Sequence, residues 1–315
     1  MTELYSPPEP HDAGMLDLGG GALMHWEVSG AKAGRPAVVF HGGPGSGLSA
    51  SLRRVFDPTA YRVAQFDQRG CGRSAPHASD PRTDLSTNDT RHLIADAERL
   101  RAHLRVERWL VLGGSWGSTL ALAYAEAHPE RVTGLVLFGV TTGRHSEWDW
   151  TFRGGIARFY PEQWARLRSA VGAEGDDVLG ACERLVASAD AAERRRAAEA
   201  WCRWESAIAR WPPRDGLAPR FRDEAYAVAF TRLVMRYARA YGFIEDGALL
   251  QGAHALARTP GIIVSGGLDL QAPPENAWHL KRAWPGADLV TVDAAGHAPG
   301  PAVLGALVDA TDRLR

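Results

Sequence analysis

The sequence predicts an α/β protein with a mostly parallel, doubly wound sheet and one inserted helical block. Short apolar runs rich in β-branched residues alternate with stretches of helical periodicity, as is typical of parallel strands buried on both faces. This strand pattern stops near residue 143 and resumes near residue 261. At 315 residues, the chain is long enough for one large core domain with an insertion.

The strands are predicted in chain order. The first dozen residues are polar and rich in proline, so we expect a loose tail there. Residues 22–28 alternate in polarity and predict an antiparallel edge strand. Continuously apolar runs predict further strands at 37–40, 61–66, 109–112, 132–138, 261–264 and 288–292.

Two helices are predicted between the strands of the first half. Apolar residues recur at helical spacing from 88 to 104. Residues 116–127 are mostly small and apolar, and His128-Pro129 follows as a helix stop. Because helices separate consecutive strands, the connections are crossovers and the strands are parallel.

The segment 143–256 has a helical composition and interrupts the sheet. We predict that residues 1–142 and 257–315 form the core, since the sheet needs both flanking halves, and that 143–256 forms a helical cap. Six of the 11 tryptophans lie in this cap segment: Trp148, Trp150, Trp164, Trp201, Trp204 and Trp211.

Composition excludes several function classes. With 36 basic and 37 acidic residues, the net charge of −1 offers no general attraction for nucleic acid or anionic lipid. No apolar run is long enough to span a membrane, and the N-terminus does not resemble a secretory signal. Three scattered cysteines form neither a disulfide framework nor a metal motif. We therefore expect a cytoplasmic protein without metal or cofactor; the sequence does not determine its oligomeric state.

The strongest chemical signal is Gly113-Gly114-Ser115-Trp116-Gly117. It matches G-x-S-x-G, with a predicted strand directly before it and a predicted helix directly after it. In such a sharp turn the serine hydroxyl is presented above the sheet, with the helix N-terminus behind it. The alternative is a glycine-rich turn that only happens to contain serine, but the flanking elements favour a nucleophile.

A serine nucleophile needs a base, and the base needs an orienting acid. Asp269 follows the strand 261–264, and His297 follows the strand 288–292. The chain order serine, aspartate, histidine is that of G-x-S-x-G hydrolases. Asp293 lies near His297 but sits too close to its strand end to serve as well.

A glycine-rich loop follows the strand 37–40. His41-Gly42-Gly43-Pro44-Gly45 leaves backbone N–H groups bare. The N–H groups of Gly43 and Trp116 can converge on a developing oxyanion. As an isolated string the loop could bind phosphate, but it lacks the Lys-Ser/Thr ending of a P-loop.

Together these motifs resemble the proline iminopeptidase family of the α/β-hydrolase superfamily. The similarity spans nearly the whole chain and includes residues 41–45, 67–74 (Asp-Gln-Arg-Gly-Cys-Gly-Arg-Ser), 113–118, 276–280 and 283–285. It implies an α/β-hydrolase fold with about eight strands and release of an N-terminal proline from a small peptide by a serine mechanism without cofactor. For residues 67–74 we favour a structural turn with a paired aspartate and arginine.

The resemblance also implies substrate-binding residues. Glu205 and Trp204 fit a Trp-Glu motif whose carboxylate holds the substrate amine, and Gly42 of the glycine-rich loop is also assigned to substrate binding. Two positions depart from the family pattern. Val234 replaces a second glutamate, and Thr141 replaces a phenylalanine of the proline pocket, which predicts a roomier and more polar pocket.

These departures keep two alternatives open. An esterase, amidase or lactonase for a small metabolite would use the same three residues with an altered cap. A catalytically inactive binding protein would normally have lost one of Ser115, Asp269 and His297, and all three are present.

Overall fold

The computed structural model describes residues 2–173, 177–213 and 216–315. Its eight strands form one sheet in the order β1-β2-β4-β3-β5-β6-β7-β8. The strands are β1 (Pro10–Gly19), β2 (Ala22–Gly30), β3 (Arg35–Phe40), β4 (Tyr61–Phe66), β5 (Trp109–Gly114), β6 (Val132–Phe138), β7 (Gly261–Gly266) and β8 (Ala287–Val292). The predicted, mostly parallel sheet of about eight strands is confirmed.

The central strands pair in parallel from β4 through β8, whereas β1 and β2 pair antiparallel. Every residue of β5 is buried. Its side chains alternate between two core layers, since Trp109 and Val111 join one hydrophobic cluster while Leu110 and Leu112 join the other. This explains the continuous apolar runs in the sequence.

The N-terminal prediction was partly wrong. Residues from Pro10 onward form β1, which pairs with β2 in a register that places Leu16 opposite Met24. The predicted edge strand is therefore the second strand of the sheet. β1 escaped notice because Leu18 is its only buried residue, so it lacks a clear apolar pattern.

Helices cover both faces of the sheet. On one face lie α1 (Thr90–His103), α2 (Trp116–Ala127) and α9 (Pro274–Ala283); on the other lies α10 (Pro301–Arg313). Asp89 caps α1 by accepting a hydrogen bond from the N–H of His92. The helices predicted at 88–104 and 116–127 are thus α1 and α2.

In the part of the chain that the structure describes, the segment between β6 and β7 contains helices and no strand. They are α3 (His145–Phe152), α4 (Pro161–Val171), α5 (Val178–Val186), α6 (Ala191–Ile208), α7 (Glu224–Arg239) and α8 (Ala248–Gly252).

Helices α4 to α7 pack on one another, whereas α8 packs on α2 and α9 of the core. The cap boundaries at 143 and 256 stay a prediction, and residues 174–176 and 214–215 of that segment lie outside the described residues. None of the described helices is both long and apolar enough to cross a membrane.

Candidate active site

Ser115 lies at the sharp turn between β5 and α2. Its backbone has φ 55° and ψ −129°, a strained conformation for a residue with a side chain. The turn is closed by hydrogen bonds from the N–H of Ser115 to the carbonyl of Phe138 and from the N–H of Ser118 to the carbonyl of Ser115. The strain places the Ser115 hydroxyl above the carboxyl edge of the sheet.

The structure brings Ser115, His297 and Asp269 together in one hydrogen-bonded chain. The Nε2 atom of His297 lies 3.0 Å from the Ser115 Oγ, and its Nδ1 atom lies 2.9 Å from Oδ2 of Asp269. The other oxygen of Asp269 accepts the N–H of Ala272 at 2.7 Å. Asp269 is only 1% exposed, so its carboxylate is held without competition from water. This geometry suits transfer of the serine proton to histidine.

The electrostatics of His297 favour this proton transfer. Burial disfavours the charged imidazolium, but the charge of Asp269 and its hydrogen bond, with a smaller contribution from Glu205, outweigh burial and raise the pKa of His297. His297 is therefore a stronger base than a free imidazole.

Gly43 and Trp116 carry the two backbone N–H groups that the sequence predicts for an oxyanion hole. Trp116 is the first residue of α2, where an N–H has no acceptor within the helix. Gly43 has φ 114°, and a Cβ atom there would lie 2.5 Å from the N atom of Gly45, so only glycine fits. Gly43 and Trp116 line one pocket together with Ser115. Gly42 precedes them on the wall of a larger neighbouring cavity.

Residues 67–74 hold the glycine-rich loop 41–45 in position through hydrogen bonds. Gln68 donates its backbone N–H to Nε2 of His41 at 3.0 Å and its side-chain N–H to the His41 carbonyl at 2.9 Å. The Gln68 side chain also accepts the indole N–H of Trp116 at 3.0 Å. The Asp67 carboxylate accepts the N–H of Arg73 at 2.9 Å. These contacts fix the position of the glycine loop and agree with the structural role predicted for the segment.

A small pocket opens beside Ser115. Its volume is about 30 Å³, and its walls include Thr141, Trp148 and Phe152. The Thr141 hydroxyl lies 2.6 Å from the Thr119 hydroxyl, so its polarity is satisfied by the protein. Trp148 and Phe152 stack with ring centroids 5.2 Å apart. The expectation that Thr141 makes the pocket roomier and more polar than a phenylalanine would stays a prediction, and the aromatic rings of Trp148 and Phe152 form part of the wall.

A larger cavity of about 350 Å³ also contains Ser115 and His297 on its wall. Glu205 lines it and is 6% exposed. Burial raises the pKa of Glu205 to about 7, although the charges of Arg220 and protonated His297 oppose the rise. The side-chain N–H of Gln271 points to Oε2 of Glu205 at 3.5 Å. Glu205 therefore lies on the wall of the cavity that contains Ser115, and its binding of a substrate amine stays a prediction.

Trp204 does not adjoin Ser115, which corrects its predicted substrate-binding role. Its side chain is 1% exposed and packs against Trp164, with ring centroids 5.0 Å apart, and against Tyr160 at 6.1 Å. The helical period explains the outcome, because Trp204 and Glu205 are neighbours on α6 and point about 100° apart. Val234 is likewise fully buried in the hydrophobic core.

Sequence reasoning missed several residues of these cavities. Trp148 and Phe152 are four residues apart on α3 and so share one face, which was a usable signal. Gln271 lies two residues after Asp269 in the same loop. Arg220 follows a proline- and glycine-rich stretch that predicts only a loop. Across the described residues there is no group of three or more His, Cys, Asp or Glu that could hold a metal ion.

The sheet, the strained serine turn and the serine–histidine–aspartate chain define an α/β hydrolase. A family model described as alpha/beta hydrolase fold matches residues 36–300. A probable proline iminopeptidase of Streptomyces coelicolor is 47% identical, covering 98% of this chain and 97% of the relative. A proline iminopeptidase of Xylella fastidiosa strain Temecula1 is 42% identical, covering 99% of each. The chain belongs to the proline iminopeptidase family.

The fold resembles solved structures as well. The crystal structure of the Mycobacterium smegmatis proline iminopeptidase superposes with a TM-score of 0.66 at 19% identity, covering 96% of this chain and 97% of that one. At this identity the likeness concerns the fold alone.

Proposed function

We propose that this chain is a serine aminopeptidase that releases an N-terminal proline, or another small residue, from short peptides. One observation carries the proposal: the buried carboxylate of Glu205 lines the same cavity as Ser115 and His297. A buried carboxylate is costly unless a cation balances it, and the ammonium group of a peptide would do so. The names of the relatives from Streptomyces coelicolor and Xylella fastidiosa support the same activity.

In this mechanism His297 takes the Ser115 proton while the serine oxygen attacks the carbonyl carbon of the N-terminal residue. Asp269 holds the imidazole with Nε2 facing the serine and stabilises the imidazolium. The N–H groups of Gly43 and Trp116 bind the oxyanion. His297 then protonates the leaving amine, and water hydrolyses the acyl-enzyme by the same steps in reverse order.

The small pocket limits the size of the substrate's N-terminal side chain. The pocket volume of about 30 Å³ is far below the volume of about 350 Å³ of the neighbouring cavity. Trp148 and Phe152 give the small pocket an apolar wall. We infer that it takes the ring of proline or a methyl group and rejects large side chains.

Glu205 is the carboxylate best placed to bind the amine. Glu147 also reaches the small pocket, but Arg144 pairs with it at 2.9 Å and Thr142 donates its N–H at 2.7 Å and its hydroxyl at 2.6 Å. Val234 supplies no charge at the family's second carboxylate position. Amine binding therefore depends on a single carboxylate.

The presence of a single carboxylate for amine binding also favours a second candidate function. With one carboxylate, whose pKa is about 7, the cavity also suits an uncharged ester, amide or lactone when Glu205 is protonated. Such an enzyme would keep Ser115, His297 and Asp269 in the same roles.

A substrate panel separates the two candidates. We expect prolyl p-nitroanilide to be cleaved best, alanyl p-nitroanilide next and leucyl p-nitroanilide least, with N-acetyl-prolyl p-nitroanilide inert because it lacks the ammonium group. Short p-nitrophenyl esters provide the comparison, and Ser115→Ala is the control for background hydrolysis. If the enzyme hydrolyses the esters but none of the amides with a free amine, it is an esterase and not an aminopeptidase.

We extend the proposal to a cytoplasmic location. Cys71, Cys182 and Cys202 are all buried and unpaired, which suits a reducing compartment. Fractionation of the source cells tests this, and recovery of the protein outside the cytoplasmic fraction would contradict it.

A further inference from the structure

Arg220 places a cation on the wall of the cavity that contains Ser115 and His297. It belongs to a short 3-10 helix, Pro219–Arg222. Its guanidinium carbon lies 4.6 Å from the centroid of the Phe221 ring and 5.8 Å from that of Phe230. These ring faces hold the charged group in place. Among the described residues it pairs with no aspartate or glutamate, so its N–H donors are free for a ligand.

The cavity carries more positive than negative charge. Glu205 is the only carboxylate among the described residues that line it, whereas Arg210 and Arg220 are both cations. Arg210 is exposed and also lacks a carboxylate partner in the described chain. Once the substrate ammonium group pairs with Glu205, the positive charges of both guanidinium groups have no balancing negative charge in the cavity. The substrate that balances them carries an anionic group at its other end.

The charge of Arg220 also acts on Glu205. Burial raises the pKa of Glu205, and Arg220 is the strongest influence that opposes this rise. Arg220 and Glu205 line the same cavity of about 350 Å³, so one short molecule can contact both. An extended peptide covers at most about 3.6 Å per residue.

We propose that Arg220 binds the free C-terminal carboxylate of the substrate, so that the enzyme selects dipeptides and tripeptides over longer or C-terminally blocked chains. This inference rests on the proposed aminopeptidase function and adds the recognition of the leaving group. A guanidinium offers two parallel N–H donors that match a carboxylate. The cavity volume of about 350 Å³ lies at the small end of the range for ligand pockets, which suits a short peptide.

The test compares Pro-Gly and Pro-Ala with their C-terminal amides, Pro-Gly-NH2 and Pro-Ala-NH2. For the unmodified enzyme we expect kcat/KM to be about fivefold higher for the free acids, as befits a partly exposed ion pair. Arg220→Gln removes the preference, chiefly through KM, since the carboxylate contact is made equally in ground and transition states. Arg220→Lys keeps part of the preference because it keeps the charge.

Arg222→Gln is the matched control. Arg222 is exposed on the same short helix and lines none of the described cavities around Ser115, so its loss leaves the preference for free acids unchanged.

Three outcomes overturn the inference in different ways. If the unmodified enzyme turns over acids and amides equally, Arg220 does not bind the substrate carboxylate, but the proposed aminopeptidase activity still stands. If Arg220→Gln lowers kcat/KM equally for acids and amides, Arg220 contributes by packing on the two phenylalanines and not by binding the carboxylate. Failure of the unmodified enzyme to cleave any prolyl peptide overturns the proposed function, and this inference with it.

Discussion

Asp269 determines which nitrogen of His297 carries a proton. Its carboxylate accepts from Nδ1 of His297 at 2.9 Å, which leaves Nε2 free to accept the Ser115 proton. In Asp269→Asn the amide can donate to Nδ1 and favour the wrong tautomer. We expect kcat for prolyl p-nitroanilide to fall by about 10³- to 10⁴-fold, with the far-ultraviolet circular dichroism unchanged.

Asp293→Asn is the matched control for that substitution. Asp293 is the neighbouring loop aspartate and is exposed, so its amide should leave kcat within about twofold of the unmodified enzyme. If the two variants lose activity equally, Asp269 is not the orienting acid.

Glu205 and His297 together predict the pH dependence of activity. Glu205, with a pKa of about 7, must be ionised to bind an ammonium group, and His297, whose pKa is also raised, must be neutral to accept the serine proton. Both conditions are lost as pH falls, so log kcat/KM should rise with a slope approaching about 2 on the acidic side.

Glu205→Gln tests this assignment. It should reduce the acidic slope to about 1 and lower kcat/KM for prolyl p-nitroanilide by about 10- to 100-fold, the usual effect of losing a charged hydrogen bond. Hydrolysis of p-nitrophenyl acetate, which has no amine, serves as the internal control and should change little. An unchanged slope would show that Glu205 is not the second titrating group.

At the scale of elements, the turn from β5 to α2 depends on a close approach at Gly117. A Cβ atom there would lie 2.1 Å from the carbonyl oxygen of Phe40 and 2.9 Å from that of His41. Gly117→Ala therefore pushes α2 away from β3. We expect the free energy of unfolding to fall by about 3 kcal/mol and kcat to fall by about 100-fold, because the Ser115 hydroxyl is displaced.

Gly300→Ala is the control for added volume and altered backbone freedom. A Cβ atom at Gly300 would meet nothing within 4 Å, and its φ of −83° is ordinary. Urea unfolding and steady-state kinetics on both variants check the pair. Equal stability of Gly117→Ala and Gly300→Ala would mean that the close approach imposes no constraint.

The elements that the sequence predicted are those whose signal is local. β5, the serine turn and α2 follow one another without a gap, and each carries its own pattern: buried apolar residues, glycines, then small helix formers. β1 was missed because its order comes from pairing with β2, and it buries only Leu18. Pairing between strands is a tertiary property that a single exposed strand does not reveal.

The residues of the site also divide into those that have a local sequence signal and those whose position depends on tertiary packing. Ser115, Asp269 and His297 could be placed because the fold brings the ends of β5, β7 and β8 to one edge of the sheet. The cap residues could not, because the side of a helix that faces the cavity depends on how α3, α6 and α7 pack. Trp204 was therefore assigned to the site although it faces the cap core, and Trp148 was overlooked although it lines the pocket.

At the scale of the whole molecule, Glu126 couples stability to pH. It lies on α2 where α8 packs, and its Oε1 atom is buried with no hydrogen-bond partner among the described residues. Burial raises the pKa of Glu126 from 4.5 to about 8. The folded state thus binds this proton more tightly than the unfolded state, so the protein is most stable below pH 4.5 with respect to this group and loses stability as pH rises toward 8.

Glu126→Gln removes this titration while keeping the size of the side chain. We expect the variant to be more stable than the unmodified protein by about 2 kcal/mol at pH 8.5, after allowance for solvent screening of a partly exposed group, and nearly equal to it at pH 5. Urea unfolding at both pH values measures the difference, in which all other titrations cancel. Glu107→Gln, at an exposed position, should show no such pH-dependent difference. If the effect of Glu126→Gln is the same at both pH values, the Glu126 carboxylate is already ionised and accommodated at pH 5, and its burial does not limit stability in alkaline solution.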